Sequence, residues 1–328
     1  MTTQSTDQTL PFQLGEPRSY RALTLIPLFP EEPPELEYIG LDEAVSRGLR
    51  ITEIGRDGVV EALWVDNPLD ENVLLYEGEE LAGAKQNRMI DKTTLVHART
   101  PAKVLVKCVE RGRWSHRSEH LEPAPRVAYP GLRGAKRHGQ GAVWANISAK
   151  QARLSVASPT DASEQMYLSR RASWDEYEQA LPRVDGQSGV IVGIGGRLVC
   201  LDFLSRSDVF AGLYPKLLRG YALDAIESRS DRPLSNAALR RFLGERAGSG
   251  TRPAYGSGLF GPPTNERRRS AGAHRHHECL DRNARLDSGC DLTIGGRPAF
   301  TLVWASVPSP RRRPWPGART SRHSSPGS

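Results

Sequence analysis

"NVLLYEGEELAGAKQNRMIDKTTLVHA", residues 72–98, decides how the first half of this chain folds. Its ends, "NVLLY" and "TTLVHA", are apolar runs of strand length. Its middle, "GEELAGAKQNR" (78–88), packs two glutamates, a lysine, a glutamine, an asparagine and an arginine into eleven positions. A solvated loop would draw on Ser, Pro and Asn. Charge of this density belongs either to a binding site or to a buried network that ties a sheet together. In an extended chain successive side chains point to opposite faces. Glu79, Leu81 and Gly83 then share one face, and Glu80, Ala82 and Ala84 the other. Beyond them, Lys85 and Asn87 oppose Gln86 and Arg88. The small residues at 82–84 allow close approach of a ligand or of another strand. Buried carboxylates need cationic partners, since an unpaired buried charge is strongly destabilising. The segment carries both signs, so it can satisfy itself as a structural network. Equally, Lys85 and Arg88 can meet an anionic group that Gln86 and Asn87 orient. "CVERGRW" (108–114) adds Glu110, Arg111, Arg113 and Trp114 at the end of the following β-run.

Working outward, the same short-strand pattern recurs. "RALTLIPLF" (21–29) reads as a strand and ends in the proline-rich "PEEPPE". "LDEAVSRG" (41–48) reads as a short helix stopped by Gly48. "LRITEI", "VVEALWVDN", "NVLLYEG", "TTLVHA" and "AKVLVKCVE" follow in close succession. Asp57-Gly58, Asn67-Pro68 and Pro101 punctuate them. Closely spaced strands with turn signals predict an antiparallel sandwich or a barrel over residues 20–115. After a polar, Pro/Gly-containing connector the pattern becomes mixed over 140–245. "AVWANISAKQARLSV" (142–156) reads as helix. "ASWDEYEQALP" reads as a helix capped by Ser173, with Glu176 completing a capping box. "GVIVGIGGRLVCLDFL" reads as a hairpin about Gly195-Gly196. "SDVFAGLYPKLLRGYALDAIE" (207–227) sets Val209, Phe210, Leu213, Leu217, Tyr221 and Ile226 mostly on one helical stripe, with a bend expected at Pro215. Ser235 caps a last helix. The fold class expected is α+β: a β-rich sandwich or barrel-like N-terminal half, then a mixed helix and hairpin half.

Composition sets the ends apart. Residues 1–16 read as a flexible lead-in, 17–247 as the folded domain, and 248–328 as a basic tail. Of the last 80 residues, 42 are Arg, Pro, Gly or Ser and only 10 are Leu, Ile, Val or Phe, too few to form a core. Such text fits a disordered tail or translation out of frame in a GC-rich gene. Within it only "DLTIGGRPAFTLVWASV" has hairpin character. The net charge of +7 also resides there, because the tail's 13 arginines and 5 acidic residues give +8. The body, with 32 basic and 33 acidic residues, is nearly neutral, which argues against specific nucleic-acid binding.

Several tempting motifs fail on context. The G-x-G-G of "GVIVGIGGR" precedes a strand, whereas a dinucleotide loop must open a helix. Cys108 alternates with Val104 and Val106 and reads as a small buried hydrophobe, as does Cys200. His274, His276, His277, Cys279 and Cys290 match no structural zinc spacing, so no metal site and no cofactor are expected. Four scattered cysteines do not make a disulfide framework. The N-terminus has no secretory pattern, and no apolar run is long enough to span a membrane, so a cytoplasmic protein is expected.

"LLYEGEELAGAKQNRMIDKTTLVHARTPAKVLVKCVERGRW" resembles the ARG and rhodanese-phosphatase-superfamily-associated protein domain family, where ARG stands for ADP-ribosylglycohydrolase. "GQSGVIVGIGGRLVCLDFLSRSDVFAGLYPKLLRGYALDAI" has the same character, and the resemblance covers roughly residues 15–245. It implies an accessory ligand-binding or regulatory domain in ADP-ribose-, nucleotide- or phosphate-linked metabolism, partnered by a hydrolase or phosphatase. It supplies no catalytic residues. The ligand-binding candidates are therefore those read above: Glu79, Glu80, Lys85, Gln86, Asn87, Arg88, Glu110, Arg113 and Trp114. Two other classes remain open. One is an enzyme acting on a phosphorylated or ADP-ribosyl substrate with Glu79 or Glu80 as base. The other is an interaction scaffold for a neighbouring hydrolase.

Overall fold

The computed structural model describes residues 12–248, apart from 33 and 35, and the backbone of 291–294, 297–301 and 303–304. The chain begins with β1 (Phe12–Leu14), β2 (Arg18–Tyr20) and β3 (Leu23–Pro30). Residues 12–14, grouped by composition with the lead-in, thus form a strand paired with β3, Phe12 opposite Pro30. An aromatic contact supports it, for Phe12 is buried with its ring centroid 5.3 Å from that of Phe203.

β4 (Ile39–Gly40) runs straight into α1 (Leu41–Ser46). That helix stops before Gly48, which adopts φ +111°, a conformation that excludes most side chains. Then come β5 (Arg50–Glu53), β6 (Ala62–Asp66), β7 (Val73–Leu75), β8 (Glu79–Gly83), β9 (Arg88–Ile90), β10 (Thr94–Val96), β11 (Pro101–Cys108) and β12 (Leu121–Val127). Six of these form one sheet in the order β12-β8-β9-β11-β6-β5, curled into a half-barrel. Long β11 joins its parts, pairing with β6 through residues 101–105 and with β9 through 106–108. A smaller sheet, β10-β7-β4, has β4 and β7 parallel. Inward residues of both sheets share one core that includes Ile51, Leu63, Val65, Val73, Leu75, Leu81, Ile90, Val96, Val104 and Val106, with Leu41 and Ala44 of α1. Between sandwich and barrel, the strands take the barrel-like solution.

The second half adds α2 (Pro130–Ala135), a single 3-10 turn at Lys136–His138, α3 (Gln140–Leu154), α4 (Glu164–Ser169) and α5 (Arg171–Ala180). The cap expected at Ser173 is not formed. A helical break at Arg170, between α4 and α5, places Ser173 inside α5 with no capping bond. β13 (Gly189–Ile194) and β14 (Arg197–Phe203) form the expected hairpin, and Gly195 and Gly196 have φ of +59° and +80°. Two successive left-handed residues are what a tight two-residue hairpin turn demands. β13 also pairs with β3, so strands from opposite ends of the domain lie side by side, Ile191 opposite Ile26. α6 (Ser207–Ala225) runs unbroken through Pro215, and α7 (Asn236–Gly248) starts where Ser235 Oγ accepts the Ala238 amide at 3.1 Å.

β15 (Asp291–Ile294) and β16 (Arg297–Thr301) form a hairpin, and β17 (Val303–Trp304) pairs with β14. The sheet runs β1-β3-β13-β14-β17, with β2 also on β3, and its central strands are largely buried. Leu23, Leu25, Val190, Val192 and Cys200 meet the helices, while Ile26, Leu28, Ile191, Leu201 and Phe203 meet Leu234 and Leu239. The readings made for 249–290 and 305–328, including the histidine and cysteine cluster, fall outside the described residues.

Candidate functional site

Residues 78–88 form the β8–β9 hairpin. Its register sets Glu80 opposite Met89 and Leu81 opposite Arg88. Directly opposed residues of an antiparallel pair share a face. Leu81 and Arg88 therefore face the barrel, and Glu80 and Met89 face the helices. The small residues serve close backbone approach, as at Gly83, φ +122°. A Cβ there would stand 2.7 Å from the His120 carbonyl oxygen.

That register overturns one expectation, that the hairpin's own cations pair with its own carboxylates. Glu80, fully buried, accepts from Arg126 Nε at 2.7 Å and Ser163 Oγ at 2.9 Å. Glu79 accepts from the Tyr76 amide at 2.9 Å and from Lys216 Nζ of α6 at 3.0 Å. Glu77 is buried beside Lys136, whose Nζ lies 3.2 Å from Oε1 without hydrogen-bond alignment. Burial raises the Glu77 carboxyl above its ordinary range, against the pull of Lys136 and Arg133.

The remaining candidates do converge. Asn87 donates its backbone N–H to Glu110 Oε2 at 3.0 Å and accepts at Oδ1 from the Gly83 backbone amide and Arg113 Nη2, each at 3.2 Å. Arg113 also binds Glu110 at 2.7 Å and donates to the carbonyls of Ala84, Ser115 and Gly83. It thereby staples the hairpin turn. Burial pushes the Glu110 carboxyl up, but bonds from Arg113, the Asn87 amide and Thr160 outweigh it and hold Glu110 below its ordinary value. Arg88, also fully buried, donates Nη1 to Gln86 Oε1 at 2.6 Å, and its Nη2 lies 3.5 Å from Glu53 Oε1. Lys85 Nζ donates to the Arg56 carbonyl at 2.7 Å. Trp114 remains 45% exposed and covers both cations, its ring centroid 5.4 Å from Arg88 Cζ and 5.5 Å from Lys85 Nζ. Arg111 turns away and stacks on Trp144.

Two features escaped sequence reasoning. Asp202, buried in β14, accepts from Arg133 Nη1 and Nη2 at 2.8 Å each, from Tyr76 Oη at 2.7 Å and from Tyr221 Oη. Burial raises its carboxyl, but Arg133 and the two tyrosines overcome this and hold it below its ordinary value. The second feature is a cavity of about 90 Å³ between α1, the end of β7, β8 and α6. Asp42, Glu43, Tyr76, Glu79 and Asp208 give it polar walls; Leu41, Leu74, Leu204, Val209 and Leu213 give it apolar ones. Lys216 bridges Glu79 and Asp42 at its edge. Burial lifts the Glu79 carboxyl above its ordinary value against the opposing pull of Lys216. Both features carried a signal: a lysine among the leucines of α6, and an aspartate in the apolar run "RLVCLDFL". A charge in such a setting requires a distant partner.

Of the nine candidates, Glu79 alone lines this cavity. Lys85, Gln86, Asn87, Arg88, Glu110, Arg113 and Trp114 form a separate cluster, and Glu80 is sealed between β8, β12 and α4. Among the described residues, no group of three His, Cys, Asp or Glu side chains is placed to hold a metal ion. No helix among them is long and apolar enough to cross a membrane.

The family model described as the ARG and Rhodanese-Phosphatase-superfamily-associated Protein domain matches residues 11–282, most of the chain, and the chain belongs to that family. The match reaches past Gly248 into the segment that composition set apart. No curated protein and no solved structure matches the chain.

Proposed function

We propose that this member of the family is an accessory ligand-binding domain in ADP-ribose-, nucleotide- or phosphate-linked metabolism, and that the cavity beside Glu79 seats a ribose-like polyhydroxyl group. The observation that carries this reading is the cavity's wall chemistry. Asp42, Glu79 and Asp208 offer carboxylate acceptors, and the leucines and Val209 offer an apolar surface. Hydroxyl groups donate to carboxylates in charge-assisted bonds, and the carbon face of a sugar ring packs on aliphatic side chains. A phosphate would face Asp42, Glu43 and Asp208, whose cations Lys216, Arg47 and Arg206 are already paired with them. About 90 Å³ is well below the roughly 300 Å³ of a pocket for a whole drug-sized ligand, so the cavity takes only part of a larger molecule. In this reading a nucleotide diphosphate sugar enters by its terminal ribose, and a partner hydrolase or phosphatase receives or supplies it.

A second reading rests on Glu79. It combines a raised carboxyl pKa, a lysine partner and a place on a cavity wall, the combination expected of a general base or acid. Glu80 has no such access, so the enzyme alternative narrows to Glu79.

A melting panel on the full chain with ribose, ADP-ribose, AMP and inorganic phosphate tests the proposal. A ligand at about 100 times its Kd should raise Tm by roughly 5–10 °C. Ribose and ADP-ribose should do so and phosphate should do so less. A shift with phosphate alone, or with none of the panel, would remove the polyhydroxyl reading. Hydrolysis of ADP-ribose that Glu79→Gln abolishes would favour the enzyme.

A further inference from the structure

The Arg88 cluster has more donors than acceptors. Arg88 Nε and Nη2 have no hydrogen-bond acceptor, and neither have Asn87 Nδ2 and Arg113 Nε, although all four atoms are buried. Nε and Nη2 are the two donors of the guanidinium's side edge, which can grip two oxygens of one oxyanion in parallel. Glu53 is the nearby carboxylate and only half fills that role. Its Oε1 stands 3.5 Å from Nη2 and takes the Lys85 amide at 3.3 Å, while Oε2 has no partner.

Gly58 packs closely over the Glu53, Lys85 and Trp114 side chains. A Cβ placed there would lie 3.1 Å from Glu53 Oε2 and 3.4 Å from both Lys85 Cδ and the Trp114 ring. Gly58 has φ +72°, so the turn is one that glycine adopts freely and that brings backbone close to all three groups. Exposed Trp114 and half-buried Lys85 form the outer wall.

We propose that this cluster is a second, independent site for a phosphate group, and that Glu53 is its internal competitor. A phosphate accepts from Arg88 Nε and Nη2 in the bidentate geometry that Glu53 leaves unmade. Displacement of Glu53 toward solvent past Gly58 opens the place. Lys85 then adds a point charge, and the indole of Trp114 borders the ligand. The cluster's cations, Lys85, Arg88 and Arg113, outnumber its carboxylates, Glu53 and Glu110, and Arg113 already holds Glu110. The site therefore favours an anion once Glu53 is displaced.

Inorganic phosphate and AMP, titrated separately into the full chain, test this through tryptophan fluorescence. The Trp114→Phe variant identifies the responding residue among the six tryptophans. The expected result is a saturable change absent from Trp114→Phe. Glu53→Gln should tighten phosphate binding about tenfold, the factor that corresponds to ~1.4 kcal/mol, because the competing charge is gone. Arg88→Lys should weaken it, since lysine offers no fork. AMP binding more tightly than phosphate would identify a nucleotide as the source of the phosphate; equal binding would identify the free ion. The proposal is overturned if Glu53→Gln shows no saturable change, or if it lowers Tm and gains no affinity, for then Glu53 is simply the structural counter-ion of Arg88. These outcomes are independent of ribose binding in the Glu79 cavity.

Discussion

Replacing Asp202 by asparagine should strongly destabilise the protein. The side chain is fully buried, and four donor atoms converge on it from three elements: two of Arg133 in α2, one of Tyr221 in α6 and one of Tyr76 after β7. The substituted side chain would keep one acceptor oxygen and turn its amide toward Arg133 Nη2 and Tyr221, taking the Asp202 charge away from the buried guanidinium. Breaking a buried pair from one side costs about 3–5 kcal/mol. At roughly 2–4 °C per kcal/mol for a domain of this size, Tm should fall by ~6–20 °C. Urea melts and thermal melts measure this, with Asp70→Asn as control. Asp70 pairs with Arg99 at 2.7 and 2.9 Å, but both side chains are exposed, so that variant should melt with the parent. The pH dependence follows in sign. Because the folded Asp202 carboxyl titrates below its ordinary value, its contribution is present above the unfolded value of ~3.9 and is lost as pH falls through the folded one. An Asp202→Asn protein melting within about 2 °C of the parent, a shift of under 1 kcal/mol, would refute the reasoning.

Glu77 should show the opposite sign. Its folded carboxyl titrates above the ordinary 4.5, so the folded state holds its proton more tightly than the unfolded state does. Stability from this group falls as pH rises from 4.5 through the folded value, and melts of Glu77→Gln between about pH 4 and 8 should lose that decline. Cys108 and Cys200 are buried, and burial pushes both thiols up, so neither should be alkylated at neutral pH before unfolding. Mass mapping after iodoacetamide checks this. A chain ending at Gly250 should keep a cooperative melt, because the central cores draw on residues before 249. It should also associate more readily, since the edge of β14 that β17 covers becomes free. Loss of cooperativity would show that the C-terminal strands complete the fold.

Much of the architecture was legible because its causes are local. Closely spaced apolar runs with turn signals marked the barrel strands, Gly195-Gly196 marked the hairpin, Gly48 ended α1, and Ser235 capped α7. Ser173 misled because a capping box is only a spacing, and the break that fixes where α5 starts lies earlier, at Arg170. The site was less legible because its pairs are not local. Glu79 meets Lys216 across 137 positions and Glu80 meets Arg126 across 46. Glu79 and Glu80 take different partners, and nothing near them in sequence names the cations that answer them. The cavity is assembled the same way, from α1, β8 and α6, which only the folded chain brings together. In contrast, Asn87, Arg88, Glu110 and Arg113 came together much as their two neighbouring β-runs implied, since β9 and β11 are paired, Arg88 opposite Cys108.

Calorimetric titration of ribose and of ADP-ribose into the full chain, beside the Asp42→Asn variant, tests the central claim most directly. Asp42 lines the cavity and is more than half exposed, so its replacement should leave the fold intact. Saturable binding of both ligands, weakened about tenfold or more in Asp42→Asn through loss of ~1.4 kcal/mol or more, is the result expected of a polyhydroxyl site. Heats indistinguishable from dilution, or binding that Asp42→Asn leaves unchanged, would contradict it.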